Sequence, residues 1–136
     1  MRFNRVPHRA AIVLPLAYML GIFWVSSIPG QPTPDDPILN VVFSVIPPKL
    51  QNLLHIPLFG VLAWLWHWSL RGWLPGEARL GTIAFLLAAG YGILDEFHQM
   101  MVPGRYASAT DVALNILGIV VALWLIRFAT ERGHQV

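Results

Sequence analysis

Residues 80–101 read LGTIAFLLAAGYGILDEFHQMM. From Leu80 to Leu94 the stretch carries no charged residue, and it then closes on Asp95-Glu96-Phe97-His98-Gln99. The apolar residues form a continuous run with no period-2 alternation, which favours a helix over a barrel strand. At about 1.5 Å per residue the run is long enough to cross a hydrocarbon core about 30 Å thick. Three more stretches qualify on the same grounds: residues 10–28, 50–70 and 108–127. Lipid offers no hydrogen bonds to the backbone, so only helices or closed barrels satisfy it there. The expected fold is all-α, a single-domain polytopic membrane helix bundle of about four transmembrane helices over residues 1–136. Pro15 and Pro57 each remove a backbone donor and are expected to kink helices one and two.

Composition agrees. Of the 136 residues, 56% are apolar and 12% charged. That charged share is about half the usual value for a soluble domain. The absence of cysteine excludes disulfides and thiolate metal sites. A net charge of +2 with no basic run gives no case for nucleic-acid binding. Pro29-Gly30-Gln31 is a poor signal-peptide cleavage site, so the first apolar segment is read as a retained helix.

The link between helices one and two is about 20 residues, long for a compact protein. Within it, Asp36 suits an N-cap and Pro37 a first helical position. A short interfacial or re-entrant helix over 37–46 is expected. The nine Lys/Arg divide unevenly. Arg2, Arg5, Arg9, Arg71, Arg79, Arg127 and Arg132 fall on one side and only Lys49 and Arg105 on the other. The positive-inside rule then puts both termini in the cytoplasm and the first and third links outside.

Polar residues are costly in lipid, so their placement is informative. Asp95, His98 and Gln99 share a face at i, i+3, i+4, and Glu96 lies about 100° away. Val102-Pro103-Gly104-Arg105 follows as a turn. Ser108-Ala109-Thr110-Asp111 then resembles a capping box with Asp in place of Glu. Asp111, Asn115 and Gly118 continue as one stripe, and Gly90, Gly92 and Gly118 suit close helix packing. With His55 near the start of helix two, topology brings His55, Asp95, Glu96, His98, Gln99, Arg105, Asp111 and Asn115 to one depth near the outer face. Asp95, Glu96 and His98 are the candidate catalytic residues. His55, Gln99, Arg105, Asp111 and Asn115 are the candidate ligand-binding residues. His67 has no polar company at its own depth and is read as structural. Helix one reads mainly as an anchor.

The run Tyr91-Gly92-Ile93-Leu94-Asp95-Glu96-Phe97-His98-Gln99, then Val102-Pro103-Gly104-Arg105, then Ser108, Asp111, Asn115 and Gly118, resembles the VanZ-like family. His55 matches a histidine that opens an earlier helix in that family. The resemblance covers roughly Leu50 to Leu125, with helix one matching by hydropathy only. Gln51 and Asn52 stand where many members carry an aspartate-lysine pair. The resemblance implies a bundle of about four or five transmembrane helices in a bacterial plasma membrane. It also implies a link to low-level resistance to the glycopeptide teicoplanin.

Three functions are compatible with these residues. The layer would bind an envelope lipid or a lipid-linked wall precursor, with Arg105 on a phosphate or carboxylate. Alternatively it would serve a membrane-embedded hydrolase or transferase. In that case either His55, Asp95, His98 and Asp111 hold a divalent metal such as Zn or Mn, or Asp95 or Glu96 pairs with His98 for acid–base chemistry. The third is a non-catalytic subunit, docking a partner or forming a homo-oligomer.

Overall fold

The computed structural model describes residues 7–30, 35–38, 40–41 and 52–133. Four α-helices and no strand occur among them: α1 (Val13–Ser26), α2 (His55–Leu70), α3 (Glu77–Gln99) and α4 (Ala109–Gly133). A 3-10 turn, Arg9–Ile12, leads into α1 and is capped by His8, whose Nδ1 accepts from the Ala10 N–H at 3.2 Å. Among the described residues, three spans are long and apolar enough to cross a membrane: Arg9–Ser26, Glu77–Gln99 and Ala109–Arg132. At 16 residues, α2 is shorter, about 24 Å by helical rise.

Shortness suits its position. α2 packs against α1, α3 and α4, most extensively against α4. Its Phe59, Leu62, Ala63, Trp66 and Leu70 are buried, together with Ile22 of α1, Leu80, Ala84 and Ala88 of α3, and Ile119 of α4. Ala84, Ala88 and Gly92 recur every four residues, so α3 presents a smooth small-residue stripe to α2. Phe59 fills the space over Gly92: a Cβ there would lie 3.2 Å from the Phe59 ring. α2 and α4 meet backbone to backbone. A Cβ on Gly118 would collide with the Ile56 carbonyl, and one on Gly60 would lie 3.1 Å from the Gly118 carbonyl. Gly60 therefore joins Gly92 and Gly118 as a packing glycine, whereas a Cβ on Gly90 would meet nothing within 4 Å.

The surface is apolar and the polar groups are inside. Trp24, Leu20, Leu86, Leu94, Phe97 and Trp124 are exposed, while Asp95, Glu96, Gln99, Asp111 and Asn115 are buried. That inversion is the arrangement a bilayer requires. Pro15 and Pro57 are each the third residue of their helices. Pro57 falls in the first turn of α2, where a missing N–H costs little, whereas Pro15 follows the Arg9–Ile12 turn inside the continuous helical span Arg9–Ser26. In the first link, Asp36 Oδ1 accepts from the Ile38 N–H at 3.0 Å, an N-cap before helical Pro37 and Ile38. Residue 39 and residues 42–46 of the expected 37–46 helix lie outside the described residues.

Candidate functional site

The end of the bundle formed by the C-termini of α1 and α3 and the N-termini of α2 and α4 carries the polar layer. Two chains of contacts build it. In the first, the amide of Gln99 donates to Asp95 Oδ2 at 2.8 Å, one helical turn back. Gln99 Oε1 in turn accepts from Arg105 Nη1 at 3.4 Å. Arg105 also donates Nε to the Ile28 carbonyl at 2.8 Å and Nη2 to the Val25 carbonyl at 3.4 Å. These carbonyls lie at the end of α1, where the Val25 carbonyl also accepts from the Ile28 N–H at 3.2 Å, and a cation there complements the negative end of the helix dipole. The Pro103 carbonyl accepts from the Gly30 N–H at 3.1 Å, and the two backbones touch where Gly30 meets Gly104. Gly104, at φ 72°, supplies the left-handed conformation that turn needs. Burial lowers the pKa of the Arg105 guanidinium, a shift that the nearby Asp95, Asp111 and Glu96 carboxylates oppose without cancelling.

The second chain joins α2, α3 and α4. His55 Nδ1 lies 2.9 Å from Asn115 Oδ1. Since an amide oxygen only accepts, His55 donates from Nδ1. Ser108 caps α4, its Oγ accepting from the Thr110 N–H at 3.2 Å. The reciprocal half of a capping box would bring the Asp111 carboxylate back to the Ser108 N–H. Glu96 Oε2, from α3, takes that N–H instead, at 3.0 Å. The expected local cap is thus completed across helices, by the longer side chain, and the Asp111 carboxylate is left for other use.

The result is a buried layer with spare valence. Asp95 Oδ1, Glu96 Oε1, Asp111 Oδ1 and Asn115 Nδ2 are buried without a hydrogen-bond partner. Unpaired buried polar atoms are expensive, each costing roughly 1–3 kcal/mol or more when charged. Such atoms in a native protein call for a ligand, a water or an ion.

The layer therefore gathers Asp95, Glu96, Gln99, Arg105, Asp111, Asn115 and His55. His98 turns elsewhere: its Nε2 lies 2.9 Å from Ser27 Oγ of α1, and its ring packs on Phe23 with centroids 4.3 Å apart. Ser27 Oγ donates to the Phe23 carbonyl at 2.7 Å, so towards His98 it acts as acceptor. No ion pair joins His98 to Asp95 or Glu96 among the described residues. Nor does any group of three or more His, Asp or Glu among them stand where it could hold a metal ion, so the set His55, Asp95, His98 and Asp111 is not assembled as ligands.

Sequence reasoning missed Ser27 and the carbonyls of Val25 and Ile28, because a helix end that closes a site across the fold has no periodic signal. α1 is accordingly a structural part of this end. It is tied in further by Tyr91 Oη donating to the Met19 carbonyl at 2.6 Å and by Tyr18 Oη donating to the Leu58 carbonyl at 3.1 Å. At the opposite end, His67 is not solitary. Its Nε2 lies 3.1 Å from Glu77 Oε2, and both residues line an open cavity of about 1160 Å³ between the start of α3 and the end of α4.

The model of the VanZ/LLP1 family matches residues 12–130, almost the whole described bundle. The chain belongs to the VanZ/LLP1 family. Comparison with curated proteins and with solved structures gave no match. The VanZ/LLP1 match begins at the head of α1. It thus includes the helix that hydropathy alone had linked to the family, and the helix whose C-terminus Arg105 closes.

Proposed function

We propose that this VanZ/LLP1 membrane protein binds an envelope lipid or a lipid-linked wall precursor at the outer face of a bacterial plasma membrane, and that this lowers sensitivity to glycopeptides such as teicoplanin. The reading is carried by one observation: three buried carboxyl groups and one buried amide, contributed by α3 and α4, each keep an atom without a partner. The uneven distribution of the nine basic residues supports the outward orientation. Arg105 is spent on Gln99 and on the end of α1. Its role in this reading is to hold the site closed on one side, rather than to contact the ligand.

Chemistry on the bound lipid is the second reading. It is favoured by the same free carboxyl oxygens of Asp95 and Glu96, which could exchange a proton with a held headgroup. Glu96→Gln and Asp111→Asn test both readings. Each keeps size and hydrogen-bonding capacity but removes an acid. Purified variants should remain monodisperse and helical yet lose co-purifying lipid, and cells carrying them should lose any protection against teicoplanin. Headgroup release or transfer in nanodiscs holding the unmutated protein would select the second reading. Unchanged lipid content and unchanged protection in both variants would overturn the proposal.

A further inference from the structure

We propose that the cleft between the start of α3 and the end of α4, at the end of the bundle opposite the polar layer, is a second binding site. It holds one anionic phospholipid, with an acyl chain between the two helices and the phosphate at Arg127. Its occupancy is independent of what the polar layer binds.

The cleft follows from side-chain size. Ala78, Gly81, Thr82 and Phe85 line it from α3 at i, i+3, i+4 and i+7, one helical face whose first three members are small. A Cβ on Gly81 would meet nothing within 4 Å, so there is room directly over that residue. Leu123, Arg127 and Thr130 line the cleft from α4 at i, i+4 and i+7, again one face. The volume left between them is about 1160 Å³. That stands above the roughly 300–1,000 Å³ of pockets for small molecules and suits an occupant of lipid size.

Polarity is graded along the cleft. Glu77 opens α3 and Glu131 lies in the last turn of α4. Phe85 and Leu123 stand eight residues further in along their helices, about 12 Å by helical rise. A charged mouth over an apolar interior matches a headgroup over its chain.

Charge selects the head. Glu77 is matched by His67 at 3.1 Å and by Arg71 at 3.4 Å. Arg127 donates Nε to Glu131 at 2.8 Å, while its Nη1 and Nη2 have no partner among the described residues. Those two nitrogens can fork onto phosphate oxygens. Arg9, Arg71, Arg79, Arg127 and Arg132 share this end with Glu77 and Glu131, five positive charges against two negative among the described residues. A zwitterionic head would leave that excess unanswered. A second copy in the same orientation would set its own arginines beside it. An anionic lipid neutralises it.

The test uses the full chain in nanodiscs made with equal parts of phosphatidylglycerol and phosphatidylcholine. Lipid retained on gentle extraction is counted by native mass spectrometry. Phosphatidylglycerol should be enriched about fivefold over the choline lipid, the factor for one basic residue at an anionic head. Gly81→Leu places a side chain in the open cleft and should remove one bound phosphatidylglycerol per chain. The difference between that variant and the unmutated protein isolates the cleft from anything the polar layer retains. Arg127→Gln should lower the preference by about the same factor. The comparison of the two lipids on the unmutated protein needs no variant to fold. Equal retention of the two lipids, or a phosphatidylglycerol count unchanged by Gly81→Leu, would overturn the proposal. So would a dimer that Gly81→Leu dissociates, since it would put a second copy in the cleft.

Discussion

Single residues carry sharply different weights in this bundle, and glycine makes the contrast measurable. Gly118 lies against the Ile56 carbonyl, where any side chain meets backbone that cannot rotate away. Gly118→Ala should destabilise by more than about 2 kcal/mol, towards the upper end of overpacking costs. Gly90→Ala, with open space around it, should be neutral or gain up to about 1 kcal/mol from helix propensity. Thermal unfolding in detergent read by circular dichroism compares the two; equal effects would mean that α2 and α4 do not touch as described. At this scale the sequence was informative about residue type but not about partner. The Ser108 cap was legible because it is local. The donation of the Ser108 N–H to Glu96 was not, because the local Asp111 offered an equally plausible pattern and only the approach of α3 decides between them. His67 was misread as solitary for the same reason, since its partner Glu77 belongs to the next helix.

Among the elements, α1 changes most between sequence and structure. Hydropathy describes it as an anchor, and nothing in its own residues announces that its last carbonyls receive a guanidinium from about 80 residues away. The Pro-Gly-Arg turn was legible as a turn. Its function as a clasp on α1 depends on long-range contacts that no periodicity encodes. Arg105→Ala should release the end of α1, costing about 1.5–3 kcal/mol for hydrogen bonds made by a charged group. Arg105→Lys should recover little of it, since one ammonium cannot reach Gln99 and two separate carbonyls in the fork geometry. Hydrogen exchange at residues 23–30 reads the effect directly. Faster exchange confined to that segment is expected in both variants. Exchange unchanged from the unmutated protein would show that Arg105 is not the clasp.

For the whole molecule, hydropathy alone established the helical class and the approximate spans, because the cost of an unpaired backbone in lipid leaves few alternatives. It set the second span at 50–70, whereas α2 begins at His55; that places Pro57 in a first turn, where it does no damage. The convergence of polar residues at one end followed from the up-and-down course of the chain. The sharing of their hydrogen bonds, and hence which atoms are left free, required the coordinates. The central claim is that this end, with its unpaired carboxyls, opens to the outer surface. The chain contains no cysteine, so single cysteines report cleanly. Tyr106→Cys, in the exposed link at the polar end, and Pro75→Cys, in the exposed link at the other end, can be challenged in intact cells with a membrane-impermeant maleimide. Labelling is expected at position 106 and none at position 75 until the membrane is broken. Labelling at 75 with protection at 106 would contradict it, and would turn the polar layer towards the cytoplasm.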